Sequence, residues 1–65
     1  MQIILNGEIK NSSAKTVLAL ISELGYSGKR IAVELNGEIV PKSQHATTPL
    51  NDADQLEIVV AVGGG

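Results

Sequence analysis

Aliphatic and polar residues alternate along most of the chain, in segments that meet at two Asn-Gly pairs. Asn-Gly between alternating segments is the strongest short signal for a tight β-hairpin turn. The predicted strands are residues 1–5 and 8–10 around Asn6-Gly7, 31–35 and 38–40 around Asn36-Gly37, and 55–62, the longest of the five. In the first hairpin a two-residue turn would place Ile4 opposite Ile9, whereas a bulged three-residue loop would change that pairing; the sequence allows both.

The apolar spacing changes from strand-like to helical between the two hairpins. Aliphatic residues recur there at Val17, Leu20, Ile21 and Leu24, with Leu18 flanking the same stripe. This period predicts a helix over residues 16–24, with Thr16 or Ser13 as its N-terminal cap and Gly25 just past its end. A helix this short is marginal in water, so we expect it to pack against a sheet.

The order hairpin, helix, hairpin, strand predicts an α+β fold in which one helix covers one face of the sheet. A two-residue second turn puts Ile31, Val33, Leu35 and Val40 on one face, and the last strand adds Leu56, Ile58, Val60 and Val62 to the core. On the opposite face the same registers place Ile39, Val59 and Ala61. Because one helix covers only one face, these three residues are a candidate docking surface for a partner.

Composition narrows the function classes. A 65-residue chain makes one small domain, and with no cysteine it has neither a disulfide nor a thiolate metal site to stabilise it. The net charge of −2 and the single aromatic residue, Tyr26, argue against a nucleic-acid partner. No apolar run approaches the roughly 20 residues of a membrane span, and no signal peptide is recognisable, so we expect a cytoplasmic location without membrane association.

The residues that carry enzyme chemistry elsewhere do not converge here. His45 is the only histidine, and its polar surroundings predict an exposed loop residue. The segment 25–30 lacks the glycine spacing of a phosphate loop and is better interpreted as a helix-to-strand connection with two exposed cations. Asp52 and Asp54 are explained as turn residues. We therefore expect no enzyme activity, no bound metal and no bound cofactor.

The candidate chemistry lies instead in the last three residues, Gly63-Gly64-Gly65, which follow a strongly patterned strand. Glycines pass close to another backbone, and three extended residues reach roughly 10 Å. We expect residues 1–62 to form the domain and 63–65 a flexible tail, with Gly63 and Gly64 threading a partner's active site. The carboxyl group of Gly65 would then be presented to the partner for activation.

Taken together, these features resemble the β-grasp, ubiquitin-like sulfur carriers, and most of all the ThiS family of bacterial thiamine biosynthesis. The resemblance spans the whole chain: residues 1–3, the stretch 33–41 (VELNGEIVP), the acidic turn 52–54 and the tail. Gly64 and Gly65 match the family's terminal pair, while Gly63 is additional and is given only a spacer role. The terminal pair is common to all these carriers; the stretch through Pro41 and the short length favour ThiS.

The resemblance implies a cycle of reactions at Gly65. A ThiF-like adenylyltransferase would use ATP and Mg²⁺ to convert the carboxylate to an acyl-adenylate. A persulfide supplied by a cysteine desulfurase would then convert it to a thiocarboxylate. A ThiG-like thiazole synthase would take the sulfur for the thiazole ring of thiamine. The protein itself would be a co-substrate of these enzymes.

Three alternatives remain open from the sequence. The small subunit of molybdopterin synthase uses the same thiocarboxylate, although members of that family tend to be longer and to carry aromatic residues near the tail. A ubiquitin-like protein modifier would use the same activated glycine to acylate lysines. The third alternative is a ubiquitin-like interaction domain whose glycine tail has no function.

Overall fold

In the part of the chain that the structure describes, two β-hairpins and a last strand form one five-stranded sheet, and one α-helix lies against one of its faces. In this computed structural model residues 1–61 are described. The elements are β1 (Gln2–Leu5), β2 (Glu8–Asn11), α1 (Val17–Glu23), β3 (Ile31–Leu35), β4 (Glu38–Ile39), a short 3-10 helix (Lys42–Gln44) and β5 (Gln55–Val60). The strand order is β2-β1-β5-β3-β4. The last strand in sequence therefore lies at the centre of the sheet.

Both hairpins have the strict two-residue turn, which settles the register that the sequence leaves open. Ile4 pairs with Ile9 in the first hairpin, and Glu34 pairs with Ile39 in the second. Asn6 and Asn36 adopt φ values of 50° and 51°, and the glycine after each also has a positive φ. Two successive residues with positive φ are the requirement of a type I′ turn, which Asn-Gly meets with little strain.

The sheet is mixed because β5 runs parallel to β1 and antiparallel to β3. Its pairing with β3 extends over five residue pairs, from Ile31 opposite Val60 to Leu35 opposite Leu56. The helix covers one face and completes the predicted α+β arrangement. The buried core comprises residues of every layer: Ile3, Ala14, Val17, Leu20, Ile21, Val33, Val40, Leu50, Leu56 and Ile58.

The helix begins and ends close to its predicted limits. Of the two candidate caps, Thr16 is the one used: its side-chain oxygen accepts a hydrogen bond from the amide of Ala19 at 3.1 Å. Gly25 follows the helix with φ +80°, the left-handed conformation expected there. Leu18, which flanks the apolar stripe, is 47% exposed.

The prediction that His45 is an exposed loop residue is wrong. His45 is 7% exposed, and its Nε2 lies 3.1 Å from the carbonyl oxygen of Val40. Its own carbonyl oxygen accepts a hydrogen bond from the amide of Leu18 at 2.8 Å. Through these two contacts, His45 connects the segment after the second hairpin to the helix. Its polar neighbours in sequence concealed this role because the burial depends on a contact with a distant element.

Candidate functional site

The strand β5 determines where the candidate site lies, because it carries the chain out of the sheet. Backbone pairing continues one residue beyond the strand: the amide of Ala61 donates a hydrogen bond to the carbonyl oxygen of Arg30 at 2.9 Å. Val60 faces the side covered by the helix, and Val59 faces away from it. The predicted tail, Gly63-Gly64-Gly65, and Val62 lie outside the described residues, so its role stays a prediction.

The three residues predicted as a docking surface all lie on the uncovered sheet face. Ile39 is 75% and Val59 is 63% exposed, and Ala61 is exposed as well. We call this side of the sheet the outer face. Exposed large aliphatic side chains on one side of a sheet point to an interface when they form a patch.

Charge and further apolar residues complete the outer face. Ala32 lies opposite Val59, and next to that pair Glu34 lies opposite Glu57. Like charges directly opposite each other are unfavourable in an isolated sheet. Glu34 also pairs with Ile39 at the edge strand, so the two carboxylates separate Ile39 from Val59. The predicted surface is therefore an aliphatic area crossed by an acidic pair.

Sequence reasoning missed one large member of the outer face. Ile9 is 72% exposed and lies opposite Ile4 on the far side of β5. The two-residue register of the first hairpin predicts this pairing. Ile9 belongs to the outer face because β1 pairs with β5, and the sequence alone does not predict that pairing.

Other sequence candidates prove to be structural. The Asp52 carboxylate accepts a hydrogen bond from the amide of Gln2 at 2.8 Å, and that of Asp54 accepts one from the amide of Asn51 at 2.7 Å. These bonds confirm the turn interpretation of both aspartates. The segment 25–30 connects the helix to β3 with Lys29 and Arg30 exposed, also as predicted. Within residues 1–61, no group of three or more histidine and acidic side chains is placed to bind a metal ion. No helix among the same residues is long and apolar enough to cross a membrane.

Comparison with known proteins decides the family. The model of the ThiS family matches residues 2–65, nearly the whole chain. The chain belongs to the ThiS family.

Individual relatives agree with the ThiS assignment. The "Sulfur carrier protein ThiS" of Thermus thermophilus is 36% identical, with 94% of this chain and 95% of that protein aligned. The crystal structure of a ThiS thiamine biosynthesis protein from Geobacter metallireducens superposes with a TM-score of 0.84 at 29% identity, covering all of both chains. The fold is therefore the predicted β-grasp.

A longer relative connects the ThiS chain with a named enzyme. A "Thiazole synthase" from Paramagnetospirillum magneticum is 53% identical over 66 residues. That match covers all of this chain but only 20% of the relative, so the chain spans about a fifth of that protein's length. A ThiS-like segment thus occurs within a polypeptide named as a thiazole synthase.

Proposed function

We propose that this chain carries sulfur on the carboxyl group of Gly65 and delivers it for the formation of the thiazole ring of thiamine. The match of the ThiS family model through residue 65 carries the proposal, since it includes the three glycines. The similarity to a thiazole synthase supports a ThiG-like enzyme as the acceptor of the sulfur.

Activation of Gly65 is the first step of the proposed cycle. A carboxylate is a poor acyl donor until one of its oxygens becomes part of a good leaving group. In the proposal, a Gly65 carboxylate oxygen attacks the α-phosphorus of Mg-bound ATP in a ThiF-like enzyme, and pyrophosphate leaves. The product is an acyl-adenylate, and all the catalytic groups for this step belong to the partner.

Sulfur enters in the second step. The terminal sulfur of a desulfurase-derived persulfide attacks the Gly65 carbonyl carbon, AMP leaves, and an acyl disulfide remains. A further thiol of the sulfur-donor system then breaks the S–S bond, which releases the thiocarboxylate and leaves a disulfide behind. The carrier has no cysteine of its own. The transferred sulfur is therefore held on the carboxyl carbon in this proposal.

The outer face has a defined part in the proposal. It lies on the strand that leads into residues 62–65, so a partner bound to Val59 and Ala61 is already close to the tail. Three extended glycines add a reach of roughly 10 Å beyond the domain. Docking on the outer face and insertion of Gly63 and Gly64 would together place the Gly65 carboxyl group in the partner's active site.

The proposal is tested by measuring whether sulfur replaces one oxygen of the C-terminal carboxyl group. The protein is incubated with the adenylating enzyme, Mg-ATP and a persulfide donor, and its mass is measured. We expect one carboxyl oxygen to be replaced by sulfur, in a C-terminal fragment and only when ATP is present. Locating the change is essential, since oxidation of Met1 gives nearly the same mass increase. Because the chain has no cysteine, an alkylating reagent should label only the thiocarboxylate.

Two results would contradict the proposal. One is a Gly65 that remains an ordinary carboxylate although the partner enzyme is active. The other is recovery of the chain from cells as an isopeptide-linked adduct on lysines, which would favour the protein-modifier alternative.

A further inference from the structure

A second concave surface lies on the helix side of the sheet, apart from the outer face. It is a pocket of about 570 Å³ between α1, the α1–β3 connection and the segment after the 3-10 helix. Leu18, Ile21 and Ile31 give it an aliphatic lining. Its volume falls within the range of about 300–1,000 Å³ typical of binding pockets. The exposed Leu18 lies at this pocket.

The charge of the pocket is opposite to that of the protein. The chain has five lysines and arginines and a net charge of −2. Three of those five cations, Lys29, Arg30 and Lys42, line the pocket, and within residues 1–61 no aspartate or glutamate does. All three are exposed, so their charged ends lie toward water at its rim. We call this feature the basic pocket: the aliphatic lining of Leu18, Ile21 and Ile31 with the rim of Lys29, Arg30 and Lys42.

The basic pocket lies beside the point where the chain leaves the sheet. The carbonyl oxygen of Arg30 accepts the hydrogen bond of the Ala61 amide, and Ile31 lies opposite Val60. The outer face begins on the other side of the same strand end, at Val59. A protein that receives the residues after Ala61 therefore meets the basic pocket on one side of β5 and the outer face on the other.

The interior of the basic pocket favours an apolar side chain over a small polar ligand. Small-molecule sites combine apolar walls with a few placed polar groups that fix the ligand. Among residues 1–61, His45 is the only fully buried polar side chain in the lining, where Tyr26 is half-buried and Ser27 exposed, and its Nε2 lies 3.1 Å from the Val40 carbonyl oxygen. The cations stand at the rim, where they would meet carboxylates placed around an apolar anchor.

We propose that the basic pocket binds an acidic surface segment of the adenylating enzyme that receives Gly65. An aliphatic or aromatic side chain of that segment would enter between Leu18, Ile21 and Ile31. Aspartates or glutamates beside it would pair with the lysines and the arginine at the rim. The inference rests on the proposed function. It adds a second contact, in which the partner enzyme binds near the end of β5 on the helix side of the sheet.

Opposite-charge contacts at a rim mainly raise the association rate and make binding sensitive to salt. The charge test therefore compares Arg30→Glu with Lys15→Glu, an equal charge reversal at an exposed residue outside the pocket. Affinity for the adenylating enzyme is measured by calorimetric titration at low and high salt. We expect Arg30→Glu to weaken binding roughly tenfold at low salt and less at high salt, and Lys15→Glu to change it by no more than about twofold.

The apolar part has its own pair of variants on the helix. Leu18→Gln removes the aliphatic lining at one position, and Ala19→Gln places the same polar side chain at the neighbouring exposed residue outside the pocket. We expect Leu18→Gln to weaken binding several-fold at either salt concentration and Ala19→Gln to leave it unchanged. Circular dichroism and thermal unfolding confirm that each variant is folded before its affinity is compared.

The outcomes separate this inference from the function on which it rests. Wild-type affinity for both Arg30→Glu and Leu18→Gln, with outer-face variants still impaired, overturns the basic pocket and leaves the carrier function standing. If the wild-type protein shows no sulfur transfer to Gly65 although the partner enzyme is active, the proposed function itself is overturned. The alternative ligand of the pocket is a small anion. It is tested by titrating the carrier with AMP and with pyrophosphate and following the amide signals by NMR. Saturable shifts confined to the amides of residues 27–31 would assign the pocket to a small anion and overturn the protein segment.

Discussion

At the scale of single residues, the two asparagines of the hairpin turns do more than turn the chain. The Asn6 side chain accepts a hydrogen bond from the Ile58 amide at 2.9 Å and donates one to the Ile58 carbonyl oxygen at 3.3 Å. The Asn36 side chain accepts one from the Gln55 amide at 3.0 Å and donates to the Asp54 carboxylate at 3.1 Å. Each hairpin thus holds β5 from one side. These bonds give an asparagine at the first turn position a role that glycine could not fill.

Replacing Asn6 separates its two roles. Asn6→Gly keeps a residue that accepts positive φ but removes both hydrogen bonds to Ile58, so we expect a loss of about 1–2 kcal/mol in the free energy of unfolding. Asn6→Asp keeps the acceptor for the Ile58 amide and loses only the donor, so its loss should be smaller. Urea unfolding of the two variants and the wild type measures the difference. If Asn6→Gly were as stable as the wild type, the bonds to β5 would contribute nothing.

At the scale of elements, the Asn-Gly turns fix most of what the sequence predicts correctly. A two-residue turn determines which side chains share a face, so Ile31, Val33, Leu35 and Val40 fall on the core side as predicted. The same register exposes Ile39. The helix and its capping residues follow from local period and chemistry in the same way.

The features that the sequence did not reveal depend on contacts between distant segments. The buried position of His45 requires α1 and the segment after the second hairpin to meet. The basic pocket requires Leu18, Lys29 and Lys42 to converge from three elements. The extension of the outer face to Ile9 requires the parallel pairing of β1 with β5. None of these has a local period or turn signal, because each is determined by tertiary packing.

A single substitution on β5 tests the outer face as a docking surface. Val59 is 63% exposed, so Val59→Lys should leave the fold intact while placing a charge in the proposed interface. We expect affinity for the adenylating enzyme to fall by about tenfold or more, as for a central interface residue. Ile9→Lys shows how far the docking surface extends, because Ile9 is similarly exposed on the same face but lies across the sheet from the strand end. Unchanged affinity for Val59→Lys in a calorimetric titration would exclude this end of the face.

At the scale of the whole molecule, stability and the proposed chemistry occupy different parts of the chain. The buried hydrophobic residues of the described structure run from Ile3 to Ile58. Val59 and Val60 still pair with β3 and Ala61 bonds to Arg30, but none of the three has a fully buried side chain. The proposed sulfur-bearing atom lies four residues further, at Gly65. Substitutions in the core should therefore change stability, and changes at the last glycine should change transfer.

Removal of Gly65 tests this division directly. Because no buried core residue of the described structure lies beyond Ile58, the truncated protein should unfold within about 0.5 kcal/mol of the full chain. Sulfur transfer should nevertheless be lost, since the carboxyl group would end one residue short of the position that the partner activates. Thermal unfolding and the ATP-dependent mass change are measured on the same preparation. A large fall in melting temperature would mean that the last residue supports the fold, and the loss of transfer would then no longer be evidence for a carrier carboxyl group.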